Sequence, residues 1–192
     1  MKKYLESSKY IDWSNSEIKE LAKFLSSDLS SEEEIAKNCF EWVRDNIKHS
    51  SDYKLNPVTC KASDVLKYQT GYCYAKSHLL AALFRANKIP SGLCYQRLSV
   101  NEDGEPYSLH GLNAVYLKKY GWYRIDPRGN KGGVNAQFSP PQEKLAFPIK
   151  LEGEVDLPEI WSKPLPVVVS TLKKYKTYEE VYNNLPDVAL IH

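Results

Sequence analysis

The hydrophobic period of this chain changes from helical to alternating at Ile89-Pro90, and that change limits the folds open to it. Before it, apolar residues recur at helical spacing. Ile18, Leu21, Ala22 and Leu25 fall at i, i+3, i+4 and i+7, so residues 14–27 read as a helix capped by Ser14 or Ser16. Ser31 and Glu34 form a Ser-x-x-Glu capping box for a second helix, whose stripe is Ile35, Cys39, Trp42, Val43 and Ile47. Residues 48–58 are polar and contain a proline, so a loop is expected, and Ser63 is placed as the cap of a turn over Asp64–Tyr68. A third helix is predicted from Tyr72 to Asn87, with Ala75, Leu79, Ala82, Leu83 and Ala86 as its buried stripe. It must stop before Pro90, because the residue ahead of a proline avoids helical geometry.

After Pro90 the period becomes two. Gly92–Val100, His110–Leu117 and Trp122–Asp126 alternate as strands, separated by turns at Asp103-Gly104 and Lys118–Gly121. Helices followed by an antiparallel meander define an α+β fold rather than an alternating βαβ one. Residues 127–166 carry seven prolines, too many for long regular elements. Short helices are expected over Val167–Tyr175, with proline in its first turn, and over Tyr178–Asn184, capped by Thr177. The 192 residues suit one domain with a proline-rich extension from 131 to 192.

Bulk properties narrow the function. The formal net charge is +2 and the lysines form no basic block, so a nucleic-acid partner is not expected. No run of 18 apolar residues exists to span a membrane. Lys2 and Lys3 are followed by no apolar stretch, so no signal peptide is expected, and the expected compartment is the cytoplasm. The four cysteines, at 39, 60, 73 and 94, lack CxxC or zinc-finger spacing and read as free thiols.

One of these thiols has an unusual address. Cys73 follows Gly71-Tyr72 at the start of the third helix. The unpaired N–H groups and partial positive charge there favour a thiolate over a thiol. A free backbone N–H at the same place can point at an oxyanion. Among the histidines, His192 lies at the chain end, where residues are poorly held. His49, at a helix end, reads as a cation favoured by the dipole. His78 lies five residues after Cys73, about 500° around the helix, and so faces elsewhere. That leaves His110, which opens a strand. If the two last strands pair so that residue numbers sum to 236, Val115 faces Gly121 across a five-residue loop. His110 then faces Asp126 on the same side of the sheet. Cys73, His110 and Asp126 would make a nucleophile, a general acid/base and its orienter. The bland alternative is a buried thiol, a strand-end histidine and a turn aspartate before Pro127; a mixed zinc set lacks a fourth ligand.

Three blocks resemble the transglutaminase-like superfamily, the papain-like α+β group that includes transglutaminases and peptide N-glycanases. They are IAKNCFEWVRDNIKHS (35–50), GYCYAKSHLLAALFRANKIPSGLCYQ (71–96) and HGLNAVYLKKYGWYRIDPRGN (110–130). The resemblance spans roughly 35–130 and preserves the order Cys, His, Asp. It implies a papain-like core and catalytic roles for Cys73, His110 and Asp126. It also implies a peptide or protein amide as substrate, no cofactor and no metal. By the same analogy Gln69, four residues before Cys73, is a candidate second oxyanion donor, with Tyr53 as its competitor. Two departures stand out. Leu112 replaces the tryptophan often found two residues after the histidine, and Tyr74–Ala75–Lys76 is less small and acidic than is usual. The expected activity is thiol-dependent cleavage of an amide by a protease, peptidase or amidase. The rivals are a transglutaminase with an amine acceptor and a non-catalytic scaffold.

Overall fold

The computed structural model describes residues 1–188; His192 lies outside the described residues. The chain opens with two amphipathic helices, α1 (Ser16–Ser26) and α2 (Glu32–Asn46). The cap of α1 is Asn15, whose side chain accepts from the N–H groups of Glu17 and Ile18, rather than either neighbouring serine. The Ser31/Glu34 capping box of α2 forms as its sequence dictates.

The stretch expected as a loop is partly ordered. β1 (Lys48–His49) and the single-turn helix α3 (Ser50–Tyr53) precede α4 (Ala62–Tyr68). Ser63 does not cap α4; it lies inside the helix, and its N–H and hydroxyl both bond the Asp12 carboxylate. β2 (Thr70–Gly71) pairs in parallel with β1, setting His49 opposite Gly71. Two residues later begins α5 (Cys73–Ala86).

α5 organises the molecule. Helices α1, α2 and α4 pack on one side of it and the main sheet on the other. Every residue from Cys73 to Arg85 is therefore buried, not only the apolar stripe, while Ala86 at its end is half-buried. Its polar side chains find partners. His78 donates from Nδ1 to the Cys60 carbonyl at 2.7 Å, and Arg85 donates to the carbonyls of Ser91, Ser162 and Glu6. Lys76 reaches the carbonyls of Arg44 and Ile47, so its ammonium caps the end of α2. Burial holds this amine down to about 7, with Arg128 adding to the effect.

β3 (Ser91–Ser99), β4 (Tyr107–Leu117) and β5 (Gly121–Ile125) form the expected meander. With β6 (Val155–Asp156) they make a sheet of order β5-β4-β3-β6. The β4–β5 register differs from the expectation by two residues. Leu117, not Val115, faces Gly121, and Asn113 faces Ile125. The connection is tighter than expected: Tyr120 N–H bonds the Leu117 carbonyl at 3.0 Å, and Gly121 has φ +77°. A slip of two preserves which face each side chain takes, whereas a slip of one would not.

The proline-rich extension supplies β6, α6 (Pro166–Lys174) and α7 (Tyr178–Tyr182). It also lays Trp161 against Leu93 by a reciprocal pair of backbone bonds. It ends along β4, where Leu109 N–H donates to the Pro186 carbonyl at 2.7 Å. No helix is long and apolar enough to cross a membrane among the described residues.

Candidate active site

Three elements meet at Cys73. α5 delivers it at its first residue; the N-cap, Tyr72, has extended backbone and no side-chain cap. The first N–H groups of α5 therefore remain available around the thiol. β4 approaches closely enough for Gly111 N–H to point at Cys73 Sγ at 3.4 Å. That approach requires glycine, because a Cβ on Gly111 would stand 2.9 Å from Tyr74 Cδ1 and 3.0 Å from Tyr74 Cα. Gly71 has a similar role behind the thiol, where a Cβ would crowd Ala75 and Thr59 at 3.1 and 3.2 Å.

His110 lies one residue before Gly111 and lines the same cleft as Cys73. Its Nε2–H donates to Asp126 Oδ2 at 2.7 Å, which leaves Nδ1 for the thiol. Asp126 follows the last residue of β5. In the observed register it continues the ladder diagonal to His110 rather than opposite it, still on the same face. Asp126 is fully buried and well bonded: Arg128 N–H reaches Oδ1 at 3.0 Å and Ala146 N–H reaches Oδ2 at 3.1 Å. Burial would raise its carboxyl, but the charge of His110 and these N–H donors outweigh it and hold the carboxyl below its usual range. Burial would likewise lower His110. The charges of Asp126 and Cys73 prevail and push the imidazole up to about 10. Burial pushes the thiols of Cys39, Cys60 and Cys94 each up to about 12.

The extension completes this arrangement. Ala146 supplies one of the Asp126 bonds, and Phe147 stands edge-on to the His110 ring at 5.0 Å. The Arg128 guanidinium lies over the Phe147 ring, 5.5 Å from its centroid. It grips Asp52 with both terminal nitrogens, Nη1 at 2.5 Å and Nη2 at 2.9 Å.

Of the further candidates, Gln69 is not brought to the cleft. It ends α4 in left-handed conformation (φ +54°), is exposed, and donates its side-chain amide to the Leu66 carbonyl. Tyr53 is exposed and sits under Lys48. The group found in the cleft instead is His49. It is not the helix-end cation expected from its neighbours. It is buried edge-on against Tyr72, and its Nδ1 lacks a hydrogen-bond partner among the described residues. Burial and then the nearby Arg128 hold it well below the ordinary histidine value, hence neutral. The only signal for it in the sequence was a histidine in the segment before the nucleophile, and nothing local says that β1 will pair beside Gly71. His78 is packed and held down to about 4 by burial. Among the described residues no cluster of three or more His, Cys, Asp or Glu could hold a metal ion.

A cleft of about 590 Å³ opens over Cys73 and His110, with His49, Tyr74, Tyr178 and Tyr182 in its walls. That size suits a small molecule or a few residues of peptide.

No curated protein matches the chain. Among solved structures, a protein from Cytophaga hutchinsonii named "Putative Cysteine Protease" superposes with a TM-score of 0.51 at 20% identity, over 65% of this chain and 40% of that one. The periplasmic domain of TgpA from Pseudomonas aeruginosa gives 0.47 at 17% identity, over 65% and 45%. The chain thus spans less than half the length of either solved protein. The model of the transglutaminase-like superfamily matches residues 19–127, more than half of the chain, including Cys73, His110 and Asp126. By that match, and by the papain-like α+β fold, this chain belongs to the transglutaminase-like superfamily.

Proposed function

We propose that the protein is a thiol-dependent acyl-transfer enzyme that cleaves an amide bond through a Cys73 thioester. The observation that carries this reading is the Cys73 thiol at the start of α5, met by Gly111 N–H at 3.4 Å, beside His110, whose ring bonds Asp126 at 2.7 Å. Cys73 Sγ attacks the amide carbonyl, and the carbonyl π pair moves onto oxygen. The Cys73 N–H in the first turn of α5 stabilises that oxyanion. Neutral His49, whose ring is uncommitted, is the second donor in place of Gln69. His110 passes its proton to the leaving amine, the tetrahedral intermediate collapses to the thioester, and the C–N bond breaks. His110 then takes a proton from water, which attacks the thioester and regenerates the thiol. A protease, peptidase or amidase fits these steps with water as acceptor; an amine acceptor in the same place would make a transglutaminase. Four free thiols support a reducing compartment such as the cytoplasm.

Cys73→Ala should abolish turnover of peptide amides while leaving the thermal midpoint close to that of the wild type. Full turnover in that variant would overturn the reading. At pH 6, iodoacetamide should label Cys73 and spare Cys39, Cys60 and Cys94, as read by mass spectrometry. Uniform slow labelling of all four would favour the scaffold.

A further inference from the structure

The two ends of the cleft differ in chemistry. At one end β1 and α3 meet the loop after Asp126. Lys54, Arg128 and Lys131 face the single carboxylate of Asp52 there, and the adjoining His49 is neutral. Asp52 is already shared between Arg128 and Lys131, at 2.5 to 2.9 Å. Among the described residues no carboxylate pairs with Lys54, which ends α3 in left-handed conformation with its side chain exposed. A second cavity of about 320 Å³ adjoins this end behind His49 and Asp52; its walls add Lys48, Lys76 and Arg44, the last paired with Asp45 at 2.7 Å.

The opposite end lies beyond His110, where β3 and β4 leave the sheet. Its walls are Leu98, Val100, Leu109, Leu151 and Leu185. The charges there are one lysine, Lys150, against Glu102 and Glu154. Glu154 is tied to the N–H groups of Ser99, Lys150 and Leu151. Cys73 and His110 sit between the two ends. A chain with little net charge overall has thus concentrated positive charge at one mouth of the site and apolar surface at the other. Low-dielectric walls focus such a field on whatever enters.

We propose that the site takes an amide flanked by an apolar group on one side and a carboxylate on the other. The carboxylate runs toward Lys54 and Lys131, and the apolar group toward Leu98 and Leu109. This rests on the acyl-transfer reading for its chemistry, but charge selection can be read on Cys73 without turnover. Lys54 is the selecting residue, since Arg128 and Lys131 are spent largely on Asp52.

The test compares alkylation of Cys73 by iodoacetate and by iodoacetamide in the wild type and in Lys54→Glu, at low and high salt. The His110 imidazolium attracts iodoacetate in both proteins, so the difference between them isolates Lys54. The iodoacetate-to-iodoacetamide rate ratio should fall about threefold or more in Lys54→Glu, and 1 M salt should erase most of that difference. A ratio indifferent to both Lys54→Glu and salt overturns the charged end. For the apolar end, N-hexanoyl-aspartate should protect Cys73 from iodoacetamide at lower concentration than N-acetyl-aspartate. Equal protection overturns that end. If Cys73 reacts with neither reagent faster than a small free thiol, the acyl-transfer reading fails, whatever the ratio between the reagents.

Discussion

The His110–Asp126 pair is buried on both sides, so its energetics depend on pH in a definite direction. His110 is raised on folding, to about 10. Its contribution is whole below the unfolded value of about 6.5 and fades as pH rises through about 10. Asp126 is lowered on folding. Its contribution is whole above about 4 and fades as pH falls through its depressed value. The pair is therefore strongest between about pH 4 and 6.5. His110→Asn should lose about 3–5 kcal/mol there, the cost of leaving a buried charge without its partner. The gap in thermal midpoint to the wild type should narrow steadily toward pH 10. A gap that stays constant from pH 6 to 10 would contradict the raised imidazole. His49 makes a different claim. His49→Ala should lower kcat about 100-fold while Cys73 alkylation proceeds at the wild-type rate, and His49→Gln should recover part of the loss. Unchanged kcat would remove His49 from oxyanion stabilisation.

At the scale of elements, the site depends on how closely α5 meets β4. Gly111 is where they touch, and its N–H also points at the Cys73 sulfur. Gly111→Ala inserts a methyl about 3 Å from the Tyr74 backbone and should force the two elements apart. The expected cost is about 1–3 kcal/mol in a denaturant melt, together with slower Cys73 alkylation. Wild-type stability and reactivity would mean that α5 and β4 can part at Gly111 without cost. The individual elements were largely legible in the sequence. The Ser31/Glu34 box, the proline at the start of α6 and the Thr177 cap of α7 act through contacts within four residues, and such contacts need no tertiary partner. The misreadings have long-range causes. Ser63 gave up its cap to bond Asp12, 51 residues away. β1 exists because β2 lies beside it. The β4–β5 register slipped because the Gly121 turn is shorter than a five-residue loop.

At the scale of the whole molecule, the site is not contained in the segment that carries the family match. That match ends at residue 127, yet Ala146 bonds Asp126, Phe147 seals His110, and α7 with Leu185 forms a wall of the cleft. The extension works as a cover that keeps water from the His–Asp pair. Phe147→Ala should admit water and weaken the Coulomb interaction that raises His110. The imidazole should then titrate below about 10 when followed by NMR, and kcat should fall even if the fold survives. An unaltered titration would reduce the extension to packing.

The residue types and their order determined the chemistry available here: one cysteine at a helix start, one histidine within a strand, one aspartate just after the next. They also determined the α+β class, because a hydrophobic period of 3.6 cannot serve a strand, nor a period of two a helix. Only the tertiary structure decided which polar groups share a volume. It turned Gln69 outward on a left-handed helix end and brought His49 in by a two-residue parallel pairing. It set Asp126 diagonal to His110 and closed the site with a segment outside the family match. These outcomes depend on contacts between residues far apart in sequence, whose geometry is set by the packing of α5 between helices and sheet, and no local pattern encodes that packing.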